Sequence, residues 1–241
     1  MQIKPQFTPL YAQIKQALLK RIIAGEWAPG SFLPSEYALA GEYGVSQGTL
    51  RKAINELADE KLVIRYQGRG TAVAVLDEDS ALFPFFLLSD MAGKRVFPSS
   101  LIYSVTRKSP DQDIAKALRI PETDDQVIYI YRIRELDGKP EINEMVCLPE
   151  SRFPGFPASI ETVPNTLYKY YQLRYSVTIA RVSETLIAVN ASEEDARLLK
   201  VHRKTPLLEV RRVAYDLAGI PVECRVSRIN TAHYMYHGSP Y

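Results

Sequence analysis

The first sixty residues carry three short segments whose apolar residues recur at helical spacing, and this order constrains the fold most strongly. The first segment runs from Leu10 to Ile22 and ends at Gly25. Thr8 is its predicted N-cap, and Pro9 suits the first helical position because proline lacks the N–H that a helix start leaves unpaired.

Two shorter helices are predicted to follow. Ser35 can cap the second helix, which Gly44 breaks, and Ser46 can cap the third. The third helix has one apolar face, formed by Leu50, Ala53, Ile54 and Leu57.

A β-hairpin is predicted after the helices, from strand-like stretches at 62–66 and 71–75 around a turn at 67–70 that holds two glycines. Three helices followed by a hairpin is the order of a winged helix-turn-helix, in which the third helix enters the DNA major groove. We therefore predict a DNA-binding domain over residues 1–75.

The polar face of the third helix has the composition of a recognition helix, with hydrogen-bonding and basic side chains near its N-terminus. Arg51 can form a bidentate pair with guanine and Gln47 with adenine, and Arg69 in the wing can enter a minor groove. For any single one of these residues, the alternative to DNA contact is a place on an ordinary solvent-exposed helix face. The predicted DNA-binding residues are Ser35, Tyr37, Ser46, Gln47, Thr49, Arg51, Lys52, Gly68, Arg69 and Gly70.

Charge is distributed unevenly, although the whole chain has a net charge of only +2. Residues 1–75 are mildly basic and the remainder is close to neutral. Two cysteines, Cys147 and Cys224, are too few for a disulfide framework or a Cys-rich zinc site. No apolar run suits a membrane span and the start lacks a secretory signal, so we expect a cytoplasmic protein.

The polar, acidic stretch 76–82 is the predicted linker to a second domain at 83–241. Strands are predicted at 101–107, 126–136, 142–148, 177–189, 208–216 and 222–230. Between them, helix starts are predicted at 109–112, with Gln112 completing a capping box, at Asn165 and at Ser192. Antiparallel strands with helices between them predict an α+β domain.

Arg132 and Arg134 lie two apart on one predicted strand, so both point to the same face of the sheet. Paired arginines form a fork for carboxylate or phosphate, whereas a surface strand with salt bridges is the alternative. A two-residue turn at 137–138 would place Glu144 on the opposite face, opposite Tyr131. A three-residue loop with a glycine bulge would place it on the arginine face, and we predict the bulge.

Residues 9–75 resemble the winged helix-turn-helix of GntR-family bacterial transcription regulators. The resemblance rests on Pro9-Leu10-Tyr11, Gly25-x-Trp27-x-Pro29-Gly30, Leu33-Pro34-Ser35-Glu36, Val45-Ser46, Thr49-Leu50-Arg51-Lys52-Ala53 and Gln67-Gly68-Arg69-Gly70-Thr71. Tyr37 and Gln47 stand where the family commonly has arginine. The resemblance therefore implies DNA binding with different operator contacts at these two positions.

Residues from about 83 to 241 resemble the UTRA effector-binding domain of the HutC subfamily, whose fold is similar to that of chorismate lyase. The resemblance rests on Arg132-x-Arg134, Asp137-Gly138-x-Pro140, Glu144, Leu148-Pro149, Phe153-Pro154-Gly155, Thr166-Leu167-Tyr168, Arg212-x-Ala214-Tyr215-Asp216 and Gly219-x-Pro221-Val222-Glu223. It implies an effector pocket lined by Arg132, Arg134, Glu144, Thr166, Tyr168 and Glu223. Arg225 shares the strand face of Glu223 and is a further candidate. In the family, this strand is often followed by aromatic residues and Arg-Gly-Asp. This chain has Ser-Arg-Ile-Asn-Thr at positions 227–231 instead, so the type of ligand stays open.

These features predict a bacterial transcription regulator, a repressor that binds a pseudo-palindromic double-stranded operator as a homodimer. A small carboxylate or phosphate is the expected effector, acting through the linker near 77–80. The alternatives are a lyase-like enzyme for a small carboxylic acid and an architectural DNA-binding protein without a ligand. No catalytic group, cofactor or metal is predicted, and His233 and His237 are expected at the surface.

Overall fold

The computed structural model describes residues 8–75, 85–120 and 126–237. The chain divides into two compact units, Met1–Leu76 and Asp77–Tyr241. The predicted linker, 76–82, lies outside the described residues.

The N-terminal unit contains the predicted three helices and hairpin. Its elements are α1 (Leu10–Ile23), α2 (Glu36–Tyr43), α3 (Gln47–Asp59), β1 (Val63–Tyr66) and β2 (Gly70–Val73). The predicted apolar face of α3 is buried in one core with residues of α1, α2 and both strands. This order and packing confirm a winged helix-turn-helix.

Two of the three predicted caps in this unit are confirmed. Ser35 accepts a hydrogen bond from the backbone N–H of Ala38, and Ser46 accepts one from that of Thr49. The prediction for Thr8 was wrong, because α1 begins one residue later, with Pro9 at the N-cap position and no side-chain cap. The backbone carbonyl of Thr8 instead accepts a hydrogen bond from the side chain of Gln13.

The C-terminal unit is an α+β domain. Its elements are β3 (Leu88–Asp90), β4 (Ser99–Lys108), α4 (Gln112–Leu118), β5 (Val127–Leu136), β6 (Lys139–Pro149), α5 (Leu167–Tyr175), β7 (Ile179–Asn190), α6 (Glu193–Leu199), β8 (Pro206–Asp216), β9 (Pro221–Ile229) and β10 (Tyr234–Tyr236).

Six of these strands form one antiparallel sheet in the order β4-β5-β6-β9-β8-β7, and β3 pairs with β10 in a small second sheet. Helices α4 and α6 pack their apolar residues on one face of the large sheet. Strand alternation puts Arg132, Arg134, Glu144 and Glu223 on the opposite face, on which α5 packs.

The β5–β6 hairpin puts Glu144 on the arginine face, as predicted, but by a different route. Asp137 and Gly138 form a two-residue turn with φ of 51° and 74°, so the predicted three-residue loop was wrong. The register shifts instead within β6 at Glu141, which gives the strand one extra residue. This bulge places Glu144 directly opposite Arg132.

The helix starts of this unit follow the predictions only in part. Ser192 and Asp195 form a reciprocal capping box at α6. At α4 the cap is Asp111, so Gln112 is the first helical residue and cannot complete a box. Asn165 was wrongly predicted as a cap, because its side chain donates to the carbonyl of Pro98 and α5 begins one residue later.

The two cysteines are buried, as free thiols, at directly opposed positions of β6 and β9. Burial raises the pKa of both thiols. Across the three described ranges, the structure has no helix of sufficient length and apolar character to span a bilayer.

Candidate DNA-contacting surface and effector pocket

The N-terminal end of α3 presents the predicted polar residues to solvent. Ser46, Gln47, Arg51 and Lys52 are exposed and Thr49 is half-buried. The hydroxyl of Ser46 also lies 2.9 Å from that of Thr49, which orients both side chains at the helix terminus. Because this terminus carries unpaired N–H groups and a partial positive charge, it suits a DNA phosphate.

Glu36, the first residue of α2, connects the recognition helix to the wing. Its carboxylate accepts a hydrogen bond from Nε of Arg51 at 3.0 Å and forms an ion pair with Arg65 of β1. Arg65 also donates to Asn55 of α3. The sequence analysis missed Glu36 and Arg65, since their partners are separated from them by 10 to 29 residues.

Tyr37 and Lys52, both predicted to bind DNA, are both exposed but differ in their contacts. Tyr37 is 75% exposed on α2, where its hydroxyl is available to a partner. Lys52 lies against α1, with its Nζ 3.8 Å from the ring centre of Tyr11. Lys52 is therefore held in position by a cation–π contact.

The wing carries its arginine between two aromatic side chains. Gly68 and Gly70 adopt φ of 72° and 111°, a region that glycine enters without strain. The guanidinium carbon of Arg69 lies 5.6 Å from the ring centre of Phe32 and 5.9 Å from that of Tyr66. Both rings are 42% exposed, and the sequence analysis missed them.

A small pocket lies on the arginine face of the C-terminal sheet. Strands β5, β8 and β9 supply its four arginines, and the start of α5 and the segment before β3 supply the rest. It is lined by Phe85, Phe86, Arg132, Arg134, Asn165, Thr166, Leu167, Tyr168, Arg212 and Arg225.

Arg132 and Glu144 form a buried ion pair beneath this pocket. Arg132 also donates to the carbonyl of Asn165 at 3.2 Å. The second carboxylate oxygen of Glu144 accepts from Ser227 at 2.9 Å and lies 3.5 Å from Nη1 of Arg225. Burial alone would raise the pKa of Glu144, but the neighbouring arginine charges outweigh burial and hold it far below its usual value.

Glu223 occupies the centre of a second buried cluster. It accepts hydrogen bonds from the hydroxyls of Tyr168 and Tyr171 at 3.0 and 2.8 Å, and from Nε and Nη2 of Arg225, each at 2.9 Å. Burial and the charge of Glu223 raise the pKa of Tyr168 to about 12. Because both oxygens of Glu223 are occupied, its role here is to position Tyr168 and Arg225.

Arg212 is directly opposite Arg225 on the neighbouring strand β8. Its Nε donates to Glu184 at 2.6 Å, and its Nη2 donates to the carbonyl of Phe85. The ring of Phe85 makes an edge contact with Tyr168 at 5.5 Å between centroids. Arg212 therefore attaches the segment before β3 to the pocket.

Arg134 differs from the other three arginines of the pocket. It is 2% exposed, and its Nε and Nη2 have no hydrogen-bond partner among the described residues. Its guanidinium carbon lies 5.4 Å from the ring centre of Phe86. Burial, together with the positive charges of Arg132, Arg225 and Arg212, lowers the pKa of Arg134 well below its usual value.

Comparison with known proteins identifies both units. Residues 10–73 match the model of the gntR family of bacterial regulatory proteins, and residues 94–235 match the UTRA domain. The chain belongs to the GntR family of transcription regulators. Its second unit is a UTRA domain, and histidine utilization repressors of the HutC type are among its relatives.

Several relatives of this GntR–UTRA regulator are repressors by name. A probable fructoselysine utilization operon repressor of Shigella flexneri is 30% identical over 231 residues, covering 91% of this chain and 92% of the relative. The mannosyl-D-glycerate system repressor MngR of Escherichia coli K12 is 28% identical over 232 residues (95% and 94% covered). The histidine utilization repressor of Klebsiella aerogenes is 28% identical over 226 residues (90% and 89% covered).

Solved structures agree on the fold. The ligand-binding domain of a GntR-family regulator from Bordetella bronchiseptica superposes with a TM-score of 0.61 at 30% identity, covering 64% of this chain and 96% of that domain. PhnF from Mycobacterium smegmatis superposes with a TM-score of 0.52 at 24% identity, and the match covers 90% of this chain and 95% of the PhnF chain.

The structure brings the seven predicted effector residues of this regulator onto one face of the sheet. Five of them line the pocket, whereas Glu144 and Glu223 lie behind it as partners of its arginines. The sequence analysis missed the other five residues of the lining, which are Phe85, Phe86, Asn165, Leu167 and Arg212. Arg212 could have been found, because a hairpin between the last two strands allows it to face Arg225.

Proposed function

We propose that this regulator is a repressor that binds a pseudo-palindromic operator as a homodimer, with one winged helix on each half-site. The exposed face of α3 and the aromatic-flanked Arg69 support a mode in which α3 reads the major groove and the wing reads the minor groove. The relatives named as repressors support the sign of regulation. Operator binding would place the protein in the bacterial cytoplasm.

The effector of this proposal is a small organic anion, a carboxylate or a phosphate ester. The observation that carries it is that two nitrogen atoms of the buried Arg134 guanidinium, Nε and Nη2, have no hydrogen-bond partner among the described residues. A buried charge without a partner is costly, and an anion that accepts its two N–H groups would remove that cost. Four arginines face three carboxylates, Glu144, Glu184 and Glu223, so the described pocket carries one excess positive charge.

The effector would act through the segment that directly follows the predicted linker. Phe85 is attached to Arg212 by its carbonyl, and Phe86 lies over Arg134. An anion bound to Arg134 and Arg212 would compete with both contacts. Displacement of this segment would then alter the linker and the spacing of the two DNA-binding units in the dimer.

The test is fluorescence anisotropy with a labelled duplex from upstream of the protein's own gene, at two salt concentrations, with an unrelated duplex as control. Specific binding that weakens steeply with salt is expected, because phosphate contacts release counterions. Phosphate esters and small carboxylates are then titrated into the complex. Release from the operator by one of them in the wild type, but not in Arg134→Met, supports the proposal. Equal weak binding to both duplexes, or release of both proteins alike, contradicts it.

A further inference from the structure

A second small cavity adjoins the effector pocket, on the same face of the sheet, and its wall is apolar. Four buried side chains of one hydrophobic cluster form this wall, and they are Leu88, Ile142, Val210 and Ile229. Three residues, Phe86, Arg212 and Arg225, line both cavities. The apolar cavity is therefore a continuation of the pocket that holds the arginines.

The polar side chains of the apolar cavity already have partners, in contrast to Arg134 in the effector pocket. Each makes a hydrogen bond or an ion pair with another side chain, and they are Glu144, Arg212, Arg225, Ser227 and Tyr236. A hydroxyl-rich ligand group placed here would have to compete with these bonds after losing its own bonds to water. An apolar group would instead gain free energy from burial against the wall.

The ring of Phe86 stands between the two cavities, since it lines both of them. Its centre lies 5.4 Å from the guanidinium carbon of Arg134, and the ring also packs against the apolar cluster. An aromatic ring suits this position because one face can cover a cation while the rest is buried among apolar side chains. Phe86 thus occupies the place that an apolar group of a bound anion would take.

We infer that the effector is an amphipathic anion, whose carboxylate or phosphate binds Arg134 and whose aromatic or branched alkyl group replaces Phe86 beside the apolar wall. The inference rests on the anionic effector proposed above and adds the chemical class of its other half. The same argument disfavours a sugar or another polyol at this position, because its hydroxyls would be buried against hydrocarbon. Displacement of Phe86 also joins ligand binding to the segment before β3, to which this residue belongs.

The first test compares two series of anions by isothermal titration calorimetry of the full chain. One series is phosphate, phenyl phosphate and glucose 6-phosphate, and the other is acetate, phenylacetate and gluconate. In the series whose anion binds, the phenyl compound should bind at least about tenfold more tightly than the other two, because its ring becomes buried. Titrations at three temperatures should give it the more negative heat-capacity change, which marks burial of apolar surface.

The second test changes the ring that the ligand has to displace. Phe86→Ala should increase the preference for the phenyl compound over the bare anion about two- to fivefold, because an apolar cavity left empty accepts an aromatic ring readily. The bare anion, titrated into the same variant, shows that the anionic site is intact. Phe97→Ala, the same change at a residue that lines neither cavity, is the matched control and should leave the preference unchanged.

The outcomes separate this inference from the proposal on which it rests. Equal binding of a phenyl compound and its bare anion, or tighter binding of the sugar compound, overturns the amphipathic effector and leaves the anionic site in place. An unchanged preference in Phe86→Ala overturns the role of Phe86. Binding of no anion in either series, or equal binding by Arg134→Met, overturns the anionic site itself and this inference with it.

Discussion

Replacing Arg134 by methionine should stabilise the ligand-free regulator and abolish its response to anions. The guanidinium is 2% exposed, with two nitrogen atoms that find no partner among the described residues. An unsatisfied buried polar group costs about 1–3 kcal/mol, and methionine fills similar space without polar atoms. We therefore expect the free energy of unfolding to rise by about 1–3 kcal/mol.

The matched control, Arg132→Met, should change stability in the opposite direction. Arg132 lies on the same face of the same strand, two residues away, and is equally buried. It pairs with Glu144, so its removal leaves a buried carboxylate without its main partner. Breaking a buried ion pair in this way costs about 3–5 kcal/mol.

Urea unfolding of the full chain, followed by circular dichroism, measures both changes. Trp27 is the single tryptophan and belongs to the N-terminal unit, so its fluorescence separates the transition of that unit. An anion that releases the operator, present at 100 times its dissociation constant, should stabilise the wild type by about 2.7 kcal/mol and leave Arg134→Met unchanged. Destabilisation of Arg134→Met to the same degree as Arg132→Met would refute the reasoning, as would a full response to the anion.

Three further outcomes are expected. Neighbouring arginines lower the pKa of Glu144 in the folded protein. Its contribution to the free energy of unfolding is therefore complete above about pH 4.3, the pKa of glutamate in the unfolded chain, and is lost as the pH falls below that value. In urea titrations from pH 7 to 3, Glu144→Gln should lose less stability than the wild type. Arg51→Ala should weaken operator binding by about 1–3 kcal/mol if Arg51 reads a base, and unchanged anisotropy would remove it from the interface. Phe32→Leu removes one ring beside Arg69 and should weaken operator binding two- to fivefold, as a cation–π contact of about 0.5–1 kcal/mol implies. The matched change Ile64→Leu, at an exposed residue of the same hairpin, should have no effect, and equal losses would indicate a general effect on the wing.

The helices and strands could be predicted because local chemistry sets them. Ser35 and Ser46 begin helices where a side-chain oxygen can accept a backbone N–H, and β-branched runs pair where glycine allows a tight turn. The caps predicted at Thr8 and Asn165 failed because each helix begins one residue later than predicted, with no side-chain cap at its start. Periodicity locates an element better than it locates the first residue of that element.

The pocket was only partly predictable because its partners are far apart along the chain. Phe85 meets Arg212 across 127 residues, and no local pattern encodes that contact. The face of Glu144 depended on a single extra residue at Glu141, within an otherwise regular strand. Strand alternation found Arg134 but could not show that it lacks a partner, since that property depends on every neighbouring side chain.

The missing partner of Arg134 also limits how the effector can act. A ligand shifts a conformational equilibrium only by its difference in affinity for the two states. The 1–3 kcal/mol gained by satisfying Arg134 corresponds to roughly 5–150-fold, whereas near-complete switching requires about 5.5 kcal/mol. The remainder has to come from contacts that differ between the states. Among the described residues, the bond from Arg212 to Phe85 and the contact of Phe86 with Arg134 join the pocket to the segment beside the predicted linker. The free energy of switching should therefore be divided between Arg134 and this segment, so that neither alone makes the regulator respond fully.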